Sequence, residues 1–129
     1  MTMTLRQVEL VAHDESIRLE PSELVDGLRK ILGSQLVAYI AGVNETRTVR
    51  EWAEGTRQPR SPALQRLRTT YQAAAFLERR ESRAIVQAWF QGLNPFLEDR
   101  SPARVLREGS ADESGIAVLA AARTFAGTA

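Results

Sequence analysis

Residues 34–55 read SQLVAYIAGVNETRTVREWAEG, and this stretch decides the fold. Ser34 is a natural N-cap for a helix over residues 35–41. Gly42 stops that helix, and Asn44 caps a second one that runs to about Glu54 and ends at Gly55. Ala38 stands before Gly42 where two closely crossing helices need a small residue, and glycine at the turn supplies a backbone conformation that other residues resist. Val43, Val49 and Trp52 form the inward face of the second helix and leave Arg47, Thr48, Arg50, Glu51 and Glu54 outward. This is the pattern of a helix-turn-helix, with a longer spacing from Gly42 to Val49 than is usual. Arg47 and Arg50 share a face and can reach phosphates or guanine edges. Arg57 and Arg60 follow in the loop, within reach of a phosphate backbone. Arg47, Thr48, Arg50, Arg57 and Arg60 are therefore the candidate DNA-binding residues. A plain helical hairpin with solvated arginines is the alternative, and Glu51 and Glu54 on the same helix oppose phosphate.

The charge pattern agrees with that assignment. The 129 residues carry a net charge of only +1. Residues 47–68 nevertheless hold six arginines against two glutamates, and residues 1–26 hold two arginines against six carboxylates. A basic stretch on a near-neutral chain marks either an anion-binding surface or a solvated helix face.

Further out, helices dominate. Pro21 suits a first helical position, and Leu24, Val25, Leu28, Ile31 and Leu32 recur at helical spacing up to Gly33. Gly27 inside this run costs ~1 kcal/mol against alanine unless a neighbouring helix comes close there. Pro62 opens a long helix through Leu64, Leu67, Tyr71, Ala74 and Ala75. Ser82, Ser101 and a start at Asp112 or Ser114 mark three more helices, and Asn94-Pro95 marks a break. Residues 1–20 lack a helical apolar period and read as a flexible arm, with at most a short strand through Leu5, Val8, Leu10 and Val11. The expected class is all-α: an arm at 1–20, a helix-turn-helix domain at 21–80 and a small helical domain at 81–129.

Composition removes several functions. With no cysteine and a single histidine, no disulfide framework, thiolate metal site or Cys nucleophile is available, and a zinc site is not expected. His13 sits in the arm with nothing to orient it, and there is no phosphate-binding glycine loop after a strand and no serine elbow. The chain reads as a non-enzyme without cofactor or metal. It shows no N-terminal signal pattern and no membrane-length apolar run, so the expected location is the cytoplasm.

The C-terminal half adds a more specific signal. Trp89, Asn94-Pro95, Leu97, Ser101-Pro102, Leu106 and Gly109 in WFQGLNPFLEDRSPARVLREG, following the helix-turn-helix, resemble the Xre/MbcA/ParS-type antitoxins over roughly residues 23–127. The resemblance implies an all-helical, dimer-forming antitoxin that binds its own operator DNA and uses a C-terminal toxin-binding domain to block a RES-domain toxin that consumes NAD. It points to Trp89, Asn94 and Ser101 as toxin-binding residues. The last helix is apolar nearly all round, with Ile116, Leu119 and Ala120 on one side and Val118, Ala121, Ala122 and Phe125 on the other. Such a helix must bury most of its surface, and in so short a chain a partner is the natural recipient. Ile116, Leu119, Arg123 and Phe125 therefore join the candidate toxin-binding set, with the helix covering the toxin's NAD site. Arg123 could bond a carboxylate or phosphate there, or only complement the helix dipole. The competing reading is a stand-alone helix-turn-helix regulator whose C-terminal half dimerises.

Overall fold

Leu67, Thr70, Tyr71, Ala73, Ala74, Phe76 and Leu77 are all buried on one helix, α5 (Ser61–Glu78), so its middle is covered on nearly every side. A helix apolar around so much of its girth needs neighbours all round. The computed structural model, which describes residues 2–127, supplies them. Helices α1 (Leu5–Arg18), α2 (Pro21–Leu32), α3 (Ser34–Ala41), α6 (Arg83–Gln91), α7 (Pro102–Glu108) and α8 (Ala111–Gly127) all contact α5. The remaining helix, α4 (Thr46–Glu54), packs on α2 and α3, and a 3₁₀ turn at Pro95–Leu97 lies against α8. Among the described residues there is no strand, only an isolated bridge between Asn94 and Arg100. The protein is all-α.

Two glycines set how closely helices approach. A Cβ on Gly27 of α2 would lie 3.2 Å from Cε2 of Tyr71, so the glycine in that helix accepts the aromatic ring of α5. A Cβ on Gly115 of α8 would lie 2.9 Å from Cγ2 of Thr69. Side-chain bonds to backbone carbonyls then lock helix ends: Gln87 Nε2 donates to Ile31 O at 2.9 Å, and Arg66 Nη1 donates to Ile40 O at 3.1 Å.

The N-terminal residues differ from expectation. Residues 5–18, read from the sequence as a flexible arm or short strand, form α1 instead. Thr4 and Gln7 make a reciprocal capping box at its start, with bonds of 3.1 and 2.9 Å. The buried stripe is Val8, Ala12 and Ser16, spaced four apart and facing α5. Arg68 Nη1 donates to both Ser16 O and Leu19 O at 2.9 Å, which satisfies carbonyls at the end of α1 from the side of α5. Glu9 pairs with Arg123 of α8 at 2.6 Å.

Local boundaries also shift. Gly33 rather than Ser34 caps α3, and Ser34 is its first residue. Glu45 rather than Asn44 occupies the capping position of α4 and gives no side-chain cap bond. The caps at Ser82 and Ser101 are formed as expected, accepting from Ile85 N at 3.3 Å and Arg104 N at 3.1 Å.

The largest correction concerns α8. The sequence reading gave most of the surface of this helix to a partner, yet Val118, Ala121, Ala122 and Ala126 are buried within the chain, in a helix that packs on α5 and α7. One continuous cluster of buried apolar residues runs from Val8 to Ala126 and crosses residues 80 and 81 without a break.

Gly115→Ala tests the contact at Thr69. Alanine gains ~1 kcal/mol of helix propensity, but its methyl group meets a stiff β-branched side chain. The expected net loss is ~1–2 kcal/mol in urea unfolding. Thr69→Ala in the same chain should restore most of it, and additive effects of the two substitutions would refute the contact.

Candidate nucleic-acid interface and partner surface

The turn between α3 and α4 is built on Gly42, whose φ of +81° is the left-handed conformation that glycine alone adopts freely. Val43 N bonds back to Ala38 O at 3.0 Å, and Gly42 N bonds to Ala38 O and Tyr39 O, so the last carbonyls of α3 are satisfied before the chain reverses. Ala38 is buried there, as a close crossing requires. Val49 and Trp52 turn inward at 0% and 4% exposure and anchor α4, which presents Arg47, Arg50 and Glu54 to solvent.

The five candidate DNA-binding residues divide into three places. Arg47 borders an open cavity of about 620 Å³ shared with Gln35, Tyr39, Asn44 and Arg107. Thr48 is half-buried, not outward, and lines a second groove of about 540 Å³ together with Trp52, Arg57, Arg60 and Arg66. Arg50 lies on the outer side of α4, in neither concavity.

Acidic neighbours balance much of the basic surface. Arg47 stands 3.9 Å from Glu45, Arg50 3.7 Å from Glu54, and Arg57 3.5 Å from Glu51. These pairs are long and solvated, so each contributes little and leaves the guanidinium available to a better acceptor. Among the described residues Arg60, which is exposed, forms no ion pair.

Two residues that the sequence did not assign to the surface matter here. Arg66 crosses from α5 to the end of α3, and its Nη1 would lie 3.2 Å from a Cβ on Gly42, so it is held over the turn. Arg107 of α7 stacks its guanidinium 4.6 Å from the ring centre of Tyr39 and donates to Tyr39 O at 2.7 Å. The Trp52 indole adds a chemical oddity. Its Nε1 is buried without a hydrogen-bond partner, a condition that costs about 1–3 kcal/mol.

The candidate partner residues fare differently. Trp89 is buried, edge-on to Phe90 at 5.0 Å and tilted 6.3 Å from Phe125, so these rings pack together as core. Asn94 is also buried and organises its loop: its Oδ1 accepts from Phe96 N, and its backbone O accepts from Leu97 N and Asp99 N. Ser101 caps α7. Leu119 and Phe125 are half-buried, and only Ile116, at 72% exposure, is an open apolar side chain of the set. Arg123 is engaged with Glu9 of α1, a partner neither sequence reading considered.

Sequence reasoning missed Leu93 and Phe96, which stand 78% and 68% exposed on the loop between α6 and α7. The signal was present in Gly92-Leu93-Asn94-Pro95-Phe96-Leu97. If Asn94 and Leu97 face inward in so tight a loop, Leu93 and Phe96 are left facing out. The loop is rigidly specified, since Glu98 and Asp99 both hold positive φ, at 57° and 60°.

Among the described residues no helix is long and apolar enough to cross a membrane. Comparison of the chain with family models, with characterised proteins and with solved structures gives no match.

Trp52→Ala should lower the unfolding free energy by ~3–5 kcal/mol, near the whole stability of so small a protein. Arg47→Ala and Arg50→Ala should each stay within ~0.5 kcal/mol of the parent. Chemical denaturation of the three variants checks both statements, and a mild effect at Trp52 would contradict its anchoring of α4.

Proposed function

We propose that the chain is the antitoxin of a type II toxin–antitoxin pair. In this reading α3, the Gly42 turn and α4 form a DNA-binding helix-turn-helix, and the C-terminal half binds a RES-domain toxin and keeps NAD from it. The observation that carries the DNA part is the α4 surface: Arg47 and Arg50 project three residues apart from a helix pinned by Val49 and Trp52. A pinned helix with exposed outward guanidinium groups suits the major groove, where arginine pairs with guanine edges.

Support for the partner half comes from the open apolar side chains Leu93, Phe96 and Ile116 within the segment that resembles the antitoxins. Exposed large apolar residues on a rigid loop are suited to a protein interface. The burial of one face of α8, through Val118, Ala121, Ala122 and Ala126, moves the contact from the whole helix to its outer edge and the neighbouring loop. Residue Arg123 would have to exchange Glu9 for a toxin group. The same burial also supports the second reading, a regulator with no toxin, because the inner face of α8 is covered within the chain.

Two experiments separate these roles. Joint replacement of Arg47 and Arg50 by alanine should weaken binding to the chain's own promoter by ~1–3 kcal/mol per base contact, or flatten the salt dependence by about one unit per lost phosphate contact. Wild-type protein with no affinity for that promoter, alone or with toxin, would end the DNA assignment.

For the partner half, Leu93→Asp, Phe96→Asp and Ile116→Asp should each weaken neutralisation of a co-expressed RES-domain toxin, read as NAD level and growth, at unchanged melting temperature. Point substitutions are required, since truncation before α8 would strip the core of Val118, Ala121 and Ala122. Full protection by the triple variant would place the toxin contact on another surface, and no protection by the wild-type chain would favour the regulator reading.

A further inference from the structure

The groove beside α4 contains more than the proposed base-reading surface needs. It is bounded by the end of α3, by α4, by the loop at 57–60 and by the first turns of α5. Its charged lining is Arg57, Arg60 and Arg66, with no carboxylate among the lining residues. Thr48 and Gln58 add neutral donors. Trp52 forms part of the wall and is 96% buried, and its indole N–H has no acceptor. A groove lined by three arginines and no carboxylate, with a wall residue whose buried donor is unmet, fits one chemical class: a compact anion with several acceptor oxygens.

Preorganisation strengthens the case. Arg66 is held in place by its bond to Ile40 O, which leaves the other guanidinium nitrogens free to donate. Arg60 is exposed and unpaired, and Arg57 is tied only by a 3.5 Å contact to Glu51, so both can close over an incoming anion.

We propose that this groove seats one phosphate of a nucleic-acid backbone, with Trp52 Nε1–H, Arg60 and Arg66 as its donors. The proposal rests on the DNA reading above and deepens it. Trp52 is then both the anchor of α4 and a direct ligand contact, so base-reading by Arg47 and Arg50 is registered against the phosphate held one helix turn away. Occupation requires the wall of the groove to rearrange around Trp52, because Nε1 is closed to water in the free protein.

The test uses the full chain in three arms. In the first, the indole N–H resonances are followed by NMR during titration with a promoter duplex, with Trp52 assigned through Trp52→Phe. The Trp52 proton should move downfield as it gains an acceptor. In the second, Trp52→Phe, which keeps an aromatic ring but removes the donor, should lower duplex affinity roughly tenfold on specific and non-specific sequence alike. Arg60→Gln, on an exposed side chain that the fold does not use, should lower it too and reduce the salt slope by about one. In the third, inorganic phosphate replaces the duplex.

Each result decides something. Duplex binding that Trp52→Phe and Arg60→Gln leave at the wild-type level overturns the phosphate seat while the DNA reading stands. A Trp52 shift with inorganic phosphate, lost in Arg60→Gln, but no duplex binding would keep an anion seat, overturn its nucleic-acid source and end the DNA reading. No Trp52 shift with either probe overturns the seat, and no duplex binding as well ends the DNA reading.

Discussion

Burial of α5 on almost every side is the constraint from which the rest of the structure follows. Its inner surface alternates large and very small groups, Leu67 and Phe76 with Ala73 and Ala74, all at 3% exposure or less. Small side chains let neighbouring helix axes come close, and the large ones fill the gaps between them. Six of the other seven α-helices pack closely on α5, and α4 packs instead mainly on α2 and α3. That difference is informative: α4 is anchored by the buried Val49 and Trp52, with Ala53 beside them, and leaves Arg47, Arg50 and Glu54 to solvent.

Much of this was legible in the sequence where periodicity and punctuation agreed. The core face of α2, the positive-φ glycine at 42, and the serine caps at 82 and 101 could all be read because each local signal carries its own physical cause. α1 could not be read in that way. Its buried positions are Val8, Ala12 and Ser16, a stripe too small and too polar to register as apolar, and it is recognised as a helix only once α5 covers it. The last helix failed in the opposite sense. Its apolar surface was plain, but a sequence shows how much surface must be buried and not which surface covers it.

The candidate surface was half legible. Arg47, Arg50, Arg57 and Arg60 are exposed as expected, whereas Thr48 turns into the groove and Trp89, Asn94 and Ser101 are taken up by packing, loop organisation and capping. Residues that carry a recognisable sequence pattern are often those that hold a loop in shape. The groups left free to touch something else, Leu93 and Phe96, sit between them and carry no pattern of their own. Arg66 and Arg107 escaped notice because each acts 26 or 68 residues away in the chain, on a carbonyl of α3.

The unbroken core across residues 80 and 81 has a thermodynamic consequence. Two surfaces supported by one core are not independent modules, because that core takes residues from both sides of the boundary and α5 is covered by helices of both. Opening α8 uncovers α5, and uncovering α5 removes the support of α2 and α3 on which α4 rests. Unfolding should therefore be a single cooperative event. A protease that captures the molecule through a transient opening of its last helix erases both surfaces at once, and a ligand on either surface lowers the population of that open form for both.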